Sequence, residues 1–161
     1  MFIEVNVENQ IEIVTTLAKE IWTEHYISII GKDQTEYMID KFQSKEAISN
    51  QLKSGYSYYL IQEEGGYVGY MAIQLKSDEL FLSKLYIKSS VRGKGYGKRA
   101  VKFLEDLATE KNMKKITLTV NKGNVNSIKA YEKMGFKNLG SIVIDIDNGF
   151  VMDDYKMEKV I

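Results

Sequence analysis

The segment Arg92-Gly93-Lys94-Gly95-Tyr96-Gly97, followed by Lys98, combines alternating glycines with basic side chains. Alternating glycines let a backbone turn tightly and approach a ligand with no Cβ in the way. A strand-like run, Leu80 to Ile87, precedes the segment, and a helical stripe of Ala100, Val101, Leu104, Leu107 and Ala108 follows it. Backbone N–H groups and the positive end of a helix dipole should therefore converge on one point, which suits a phosphate. Arg92, Lys94 and Lys98 add mobile positive charge around it. Two familiar phosphate loops are excluded by spacing. A nucleotide P-loop has four residues between its glycines and Ser or Thr after its lysine; here three residues separate Gly93 from Gly97, and Arg99 follows Lys98. The dinucleotide fingerprint has two residues between its second and third glycines, whereas only Tyr96 stands between Gly95 and Gly97. The alternative is a glycine-rich turn with solvated charges.

The chain has no cysteine, which removes disulfides, thiolate metal sites and a cysteine nucleophile and is compatible with a reducing cytosol. No metal site is expected. With 22 basic and 22 acidic residues the formal charge is zero. A broad basic face for nucleic acid or anionic membrane is therefore not expected, and any anion must be gripped locally. The opening Met1-Phe2-Ile3-Glu4-Val5 lacks the basic start and apolar run of a signal peptide, and no apolar stretch approaches membrane-spanning length. A soluble, cytoplasmic protein is expected. A length of 161 residues and 44% hydrophobic content suit a single domain over residues 1–161.

Elements must position the glycine segment. Ile11, Val14, Leu17, Ala18, Ile21 and Trp22 recur at helical spacing from Asn9 to about His25. Asp33, with Glu36 three residues on, resembles a capping box opening a second helix through Phe42, and Ala47, Ile48 and Leu52 mark a third that ends at Gly55. From Tyr56 the pattern turns to strands. Ser57 to Gln62 and Tyr67 to Ile73 flank the hairpin turn Glu64-Gly65-Gly66, and Leu80 to Ile87 extends the run. The glycine segment, a helix from about Gly97 to Lys111 and a strand at Lys115 to Val120 make a strand, helix, strand succession, hence a parallel pair. A short helix near Ser127 to Met134 ends at Gly135, and strands near Ser141 to Ile146 and Val151 to Glu158 are joined by Asp147-Asn148-Gly149.

At this point the chain resembles the GNAT superfamily of N-acetyltransferases. Arg92 to Gly97 matches the motif by which those enzymes hold the pyrophosphate of coenzyme A, and Asn124-Val125-Asn126-Ser127-Ile128-Lys129-Ala130-Tyr131-Glu132-Lys133-Met134-Gly135-Phe136 looks like their second motif in order and separation. The resemblance implies an α/β (α+β) fold: a mixed, mostly antiparallel sheet of about six or seven strands with a central splayed parallel pair, flanked by helices. It implies acetyl-CoA as cosubstrate, an amine as acceptor, and backbone groups of Leu85, Tyr86 and Ile87 offered to pantetheine and the acetyl carbonyl. Tyr131 corresponds to the general acid for the departing thiolate, a reading its position in the motif favours; the alternative is core packing at helical spacing from Ile128 and Met134. Asn124 corresponds to a coenzyme contact, a helix cap, or both.

The general base is not legible. Ribosomal-protein alanine acetyltransferases carry glutamate five residues before the Asn, where this chain has Thr119, and many amine acetyltransferases carry one at the position of Ser83. Glu24, His25 and Tyr26 end the first helix, which roofs the acceptor site in this superfamily; His25 reads as a cap or surface residue. Trp22 reads as core, and Tyr56, Tyr58 and Tyr59 as strand alternation or a cleft lining. Asp147, Asp153 and Asp154 lie in the final hairpin, which borders the acceptor channel in these enzymes. Asp153-Asp154 stands among Val151, Met152, Tyr155 and Met157, where a carboxylate calls for a cation such as a polyamine. The expected activity is acetyl transfer to a primary amine, with Glu24, Tyr26 and Asp154 at the acceptor. A protein N-terminal or lysine acetyltransferase and a non-catalytic acyl-CoA sensor are the alternatives, and a homodimer is among the expected assemblies.

Overall fold

The computed structural model describes residues 1–161. Seven strands hydrogen-bond in the order β1-β2-β3-β4-β5-β7-β6: β1 Phe2–Glu4, β2 Tyr56–Glu63, β3 Gly66–Leu75, β4 Glu79–Ile87, β5 Lys115–Asn121, β6 Lys137–Asp145 and β7 Val151–Val160. The pair β4 and β5 runs parallel, in register from Glu79 opposite Lys115 to Leu82 opposite Leu118. Both strands continue past that paired stretch, β4 to Ile87 and β5 to Asn121. The mixed, mostly antiparallel sheet expected from the sequence is thus present.

Six helices accompany the strands: α1 Glu8–His25, α2 Ile27–Ile30, α3 Lys32–Gln43, α4 Lys45–Lys53, α5 Tyr96–Glu110 and α6 Val125–Lys133. Helix α1 buries Val14, Leu17, Ala18, Ile21 and Trp22, the apolar stripe of the sequence. The Gln10 side-chain oxygen reaches back to accept from the Val7 N–H at 3.1 Å, closing its first turn. Helix α4 opens on Ser44, whose hydroxyl accepts from the Ala47 N–H at 3.1 Å.

Helix α3 corrects the expectation of an Asp33 cap. Its N-cap residue is Gly31, at φ 85°, and Asp33 lies inside the first turn. The short α2 consumes Ile27 to Ile30, and only a glycine readily takes the left-handed turn that redirects the chain immediately afterwards. Strand β6 starts earlier than its apolar pattern suggests. A bulge between Asn138 and Gly140 and a largely exposed face blur the alternation there.

The chain forms two compact units, one of Met1–Gln74 with Lys84–Gly97 and the other of Leu75–Ser83 with Lys98–Ile161. In the first, α1 to α4 accompany β1, β2, β3 and the later half of β4, around a core that includes Ile21, Ile48, Tyr58, Leu60 and Tyr70. In the second, the early half of β4 joins β5, β7 and β6, with Leu80, Ala100, Leu104, Ile116, Leu118 and Met157 buried.

Candidate active site

Strand β4 ends at Ile87, a 3-10 turn spans Ser89–Val91, and α5 starts at Tyr96, so the glycine segment is the bend between strand and helix. Gly93 and Gly95 have φ of 79° and 84°. A Cβ at either would meet nothing within 4 Å, so backbone conformation rather than space calls for glycine there. Gly97 differs. Its φ is not positive, and an added Cβ would touch only the Ile87 side chain, at 3.8 Å. The fold itself does not need a glycine at Gly97.

The Tyr96 ring is buried with Ile61 and Val68, and its hydroxyl donates to the Glu63 carboxylate. Its side chain therefore anchors the bend to β2 and leaves only its backbone for a ligand. Arg92, Lys94 and Lys98 are exposed. Glu24 accepts from the Ser89 hydroxyl at 2.9 Å, which fastens the end of α1 to the turn before the glycines. His25 lies 3.5 Å from Arg92, Nδ1 to Nη1, and edge-on to Tyr26. Tyr26 is 8% exposed and stacks on Trp22 at 4.2 Å. The structure thus brings Glu24, His25 and Arg92 together and puts the Tyr26 ring in an aromatic cluster with Trp22, Tyr70 and Tyr86.

In the second unit, β5 leads through Asn121 to Asn124, the N-cap residue of α6. Asn124 is buried, yet its side chain makes no cap hydrogen bond; its carbonyl accepts from the Ile128 N–H at 3.1 Å. Tyr131 is half-buried and meets Phe136 edge-on at 5.4 Å. Asp154 of β7 stands opposite Asn121 and is 3% exposed. Its neighbour Asp153 takes Lys122 at 2.8 Å, while the carboxylate of Asp154 accepts from the Thr119 side chain. Burial pushes the Asp154 carboxyl up to about 6, against the Thr119 hydrogen bond, which favours the charged form.

The sequence profile of the acetyltransferase (GNAT) family matches residues 15–136, a span that includes both the glycine bend and α6. The chain belongs to this family. GNAT acetyltransferases use acetyl-coenzyme A. A spermidine N(1)-acetyltransferase of Thermoplasma acidophilum is 26% identical over 154 residues, covering 92% of this chain and 90% of that protein. Among solved structures, the PaiA N-acetyltransferase of T. acidophilum in complex with coenzyme A superposes with a TM-score of 0.80 at 23% identity, covering 100% of this chain and 99% of the other. The ribosomal-protein-alanine N-acetyltransferase of Brucella melitensis gives 0.72 at 18% identity, covering 100% and 99%. The fold is that of the GNAT enzymes.

One polar cluster of this GNAT chain escaped sequence reasoning. Lys84 of β4 is 6% exposed, and its amine donates to the Phe42 carbonyl and the Tyr58 hydroxyl, both at 2.5 Å, and to Gln51 Oε1 at 3.2 Å. The available signal was alternation: Leu80, Leu82 and Lys84 occupy one buried face of the strand. Lys84 ties β4 to β2, to α4 and to the last turn of α3, whose carbonyl end favours a cation. Burial nevertheless pushes the amine down to about 7. Above that pH the folded chain sheds a proton that the unfolded chain retains to about 10.4, so stability rises with pH between about 7 and 10, by at most about 1.4 kcal/mol per unit. Denaturant midpoints measured from pH 7 to 9 should climb in the wild type and climb less in Lys84→Met. Equal slopes would show that the amine titrates alike in both states.

Proposed function

We propose that this acetyltransferase acylates a primary amine of a small polycationic molecule, a polyamine above all. The observation that carries the reading is Asp154, a buried carboxylate whose nearby cation, Lys122, pairs directly with Asp153 at 2.8 Å and acts on Asp154 only as a weaker charge attraction. Such a group is costly to keep ionised unless a cation meets it. The relative named for spermidine acetylation, aligned over nearly the whole of both chains, supports the same acceptor class.

In this reading the backbone of Arg92 to Gly97 and the Lys98 side chain grip the coenzyme pyrophosphate, with Asn124 as a further contact. Leu85, Tyr86 and Ile87 offer backbone groups to pantetheine and the acetyl carbonyl. One ammonium of the acceptor sits beside Asp154 while the amine at the other end, having lost its proton to water, attacks the thioester carbonyl carbon. A C–N bond forms, the C–S bond breaks, Tyr131 protonates the departing thiolate, and the proton lost by the acylated nitrogen returns to the Tyr131 phenolate through water. Glu24, held by Ser89, contributes negative charge near the glycine bend rather than a free carboxylate.

Asp154→Asn should raise KM for spermidine about tenfold or more and leave KM for propylamine, which has no second ammonium, nearly unchanged. Because the carboxyl titrates near 6, spermidine KM should also rise as pH falls through 6 in the wild type and lose that dependence in the variant. Burial of Asp154 makes the pairing insensitive to salt, contrary to what an exposed carboxylate would show. Equal effects on both amines, or turnover of alanine-terminated or lysine peptides in preference to spermidine, would replace this acceptor with a protein amino group. Tight coenzyme binding without turnover across amines and peptides would mark a sensor.

A further inference from the structure

The geometry points to Gly69 of β3 as a positioning residue for the thioester, because its missing side chain lets the Tyr86–Ile87 peptide of β4 tilt out of the ladder and so aims the Ile87 N–H. The inference rests on the assignment of Leu85 to Ile87 as the segment that meets the acetyl group. A Cβ at Gly69 would lie 2.3 Å from the Tyr86 carbonyl oxygen, 3.1 Å from the Ile87 Cα and 3.3 Å from the Tyr86 carbonyl carbon. All three are backbone atoms, so no rotamer change relieves the clash.

Gly69 has no positive φ, and it lies within the fully buried run Val68 to Ile73, where glycine weakens a strand. Its own conformation does not require glycine; the close approach of the other backbone does. A carbonyl lying in the plane of a regular ladder does not reach a neighbour's Cβ position, so the Tyr86 oxygen is turned onto the side-chain face of Gly69. The peptide is planar and trans, which directs the Ile87 N–H the opposite way, away from Gly69. The turn is local, because the Lys88 N–H donates to the Val68 carbonyl at 2.8 Å directly afterwards. The Tyr86 ring is held by Trp22 at 5.3 Å, Tyr70 at 5.5 Å and Tyr26 at 6.2 Å, so the side chain cannot follow a displaced peptide freely. An N–H fixed in this way before substrate arrives can polarise the thioester carbonyl and stabilise the oxyanion that forms on attack; loss of one such donor costs on the order of a hundredfold or more in turnover.

The test uses carbonyl-labelled acetyl-coenzyme A, coenzyme A and spermidine as probes. In the wild type the infrared stretch of the bound acetyl carbonyl should fall below its value in water, reporting the donor. In Gly69→Ala the stretch should move back towards the water value and turnover should drop about tenfold or more, while coenzyme A affinity stays within about threefold because the glycine bend is untouched. Met71→Ala, which removes a buried side chain two residues along β3 without pressing on β4, supplies a stability control: it should lower the melting temperature yet keep the wild-type stretch and turnover. A wild-type stretch no lower than in water overturns the proposal whatever Gly69→Ala does to folding. So does a Gly69→Ala protein with wild-type stretch and turnover, or a turnover loss reproduced by Met71→Ala. If Gly97→Asp binds coenzyme A as the wild type does, the site assignment has failed and this inference with it; if Gly97→Asp does not bind and Gly69→Ala is unaltered, Gly69 alone has been misassigned.

Discussion

Gly97→Asp should lose coenzyme A binding by at least about a hundredfold and lose turnover with it, while melting close to the wild type. The argument separates three glycines that look alike in sequence. At Gly93 and Gly95 the left-handed backbone penalises any side chain, so a variant there mixes conformational strain with ligand loss. Gly97 has ordinary backbone and open space, with Ile87 Cδ1 at ordinary contact distance. A carboxylate placed there stays compatible with the fold but stands where a pyrophosphate would dock, adding bulk and like charge at the helix N-terminus. Titration calorimetry with coenzyme A, alongside thermal melting, checks both halves. Retained affinity in a folded variant would remove the bend from the binding site. Lys98→Ala should weaken binding less, since a mobile charge is more replaceable than fixed amides.

Tyr131→Phe should lower turnover on the order of a hundredfold with coenzyme affinity and stability nearly unchanged. The half-buried ring packs edge-on against Phe136, and phenylalanine keeps that contact, so only the hydroxyl is tested. A phenol, with a pKa near ~10, is matched to protonating a thiolate. The rate of thiol release, measured where chemistry limits turnover, decides the matter. An unchanged rate would assign Tyr131 to packing alone.

Features set by local rules were legible in the sequence. The α1 stripe, the Gly65-Gly66 hairpin, the parallel pair around α5 and the glycine bend each depend on spacing within one or two elements. Features set by distant partners were not. Lys84 reads as an ordinary strand lysine until Phe42, Gln51 and Tyr58 are folded against it. The apolar neighbours of Asp153-Asp154 were legible, but which of the two carboxylates is buried depends on the β5–β7 register that sets Asp154 opposite Asn121 and near Thr119. Tyr26 and Tyr96 looked available to ligands, and only packing against Trp22 and Ile61 turned their rings inward. Gly69 gave no signal beyond being a glycine in a strand, since the carbonyl that needs its space comes from another strand.

The division of the chain into two interleaved units has a kinetic consequence during synthesis. Residues Met1–Gln74 cannot complete their unit until Lys84–Gly97 has also been made, and the nine residues from Leu75 to Ser83 belong elsewhere. At roughly 5–20 residues per second the wait lasts about one to five seconds. Throughout it β3, whose residues Val68 to Ile73 end up buried, has β2 on one side and no β4 on the other. An apolar strand with an open edge is a template for pairing with another nascent chain. The glycine bend closes the list of segments the first unit awaits, but α5, whose N-terminal amides the bend presents, runs on to Glu110, so the anion site comes into being only after that edge is covered.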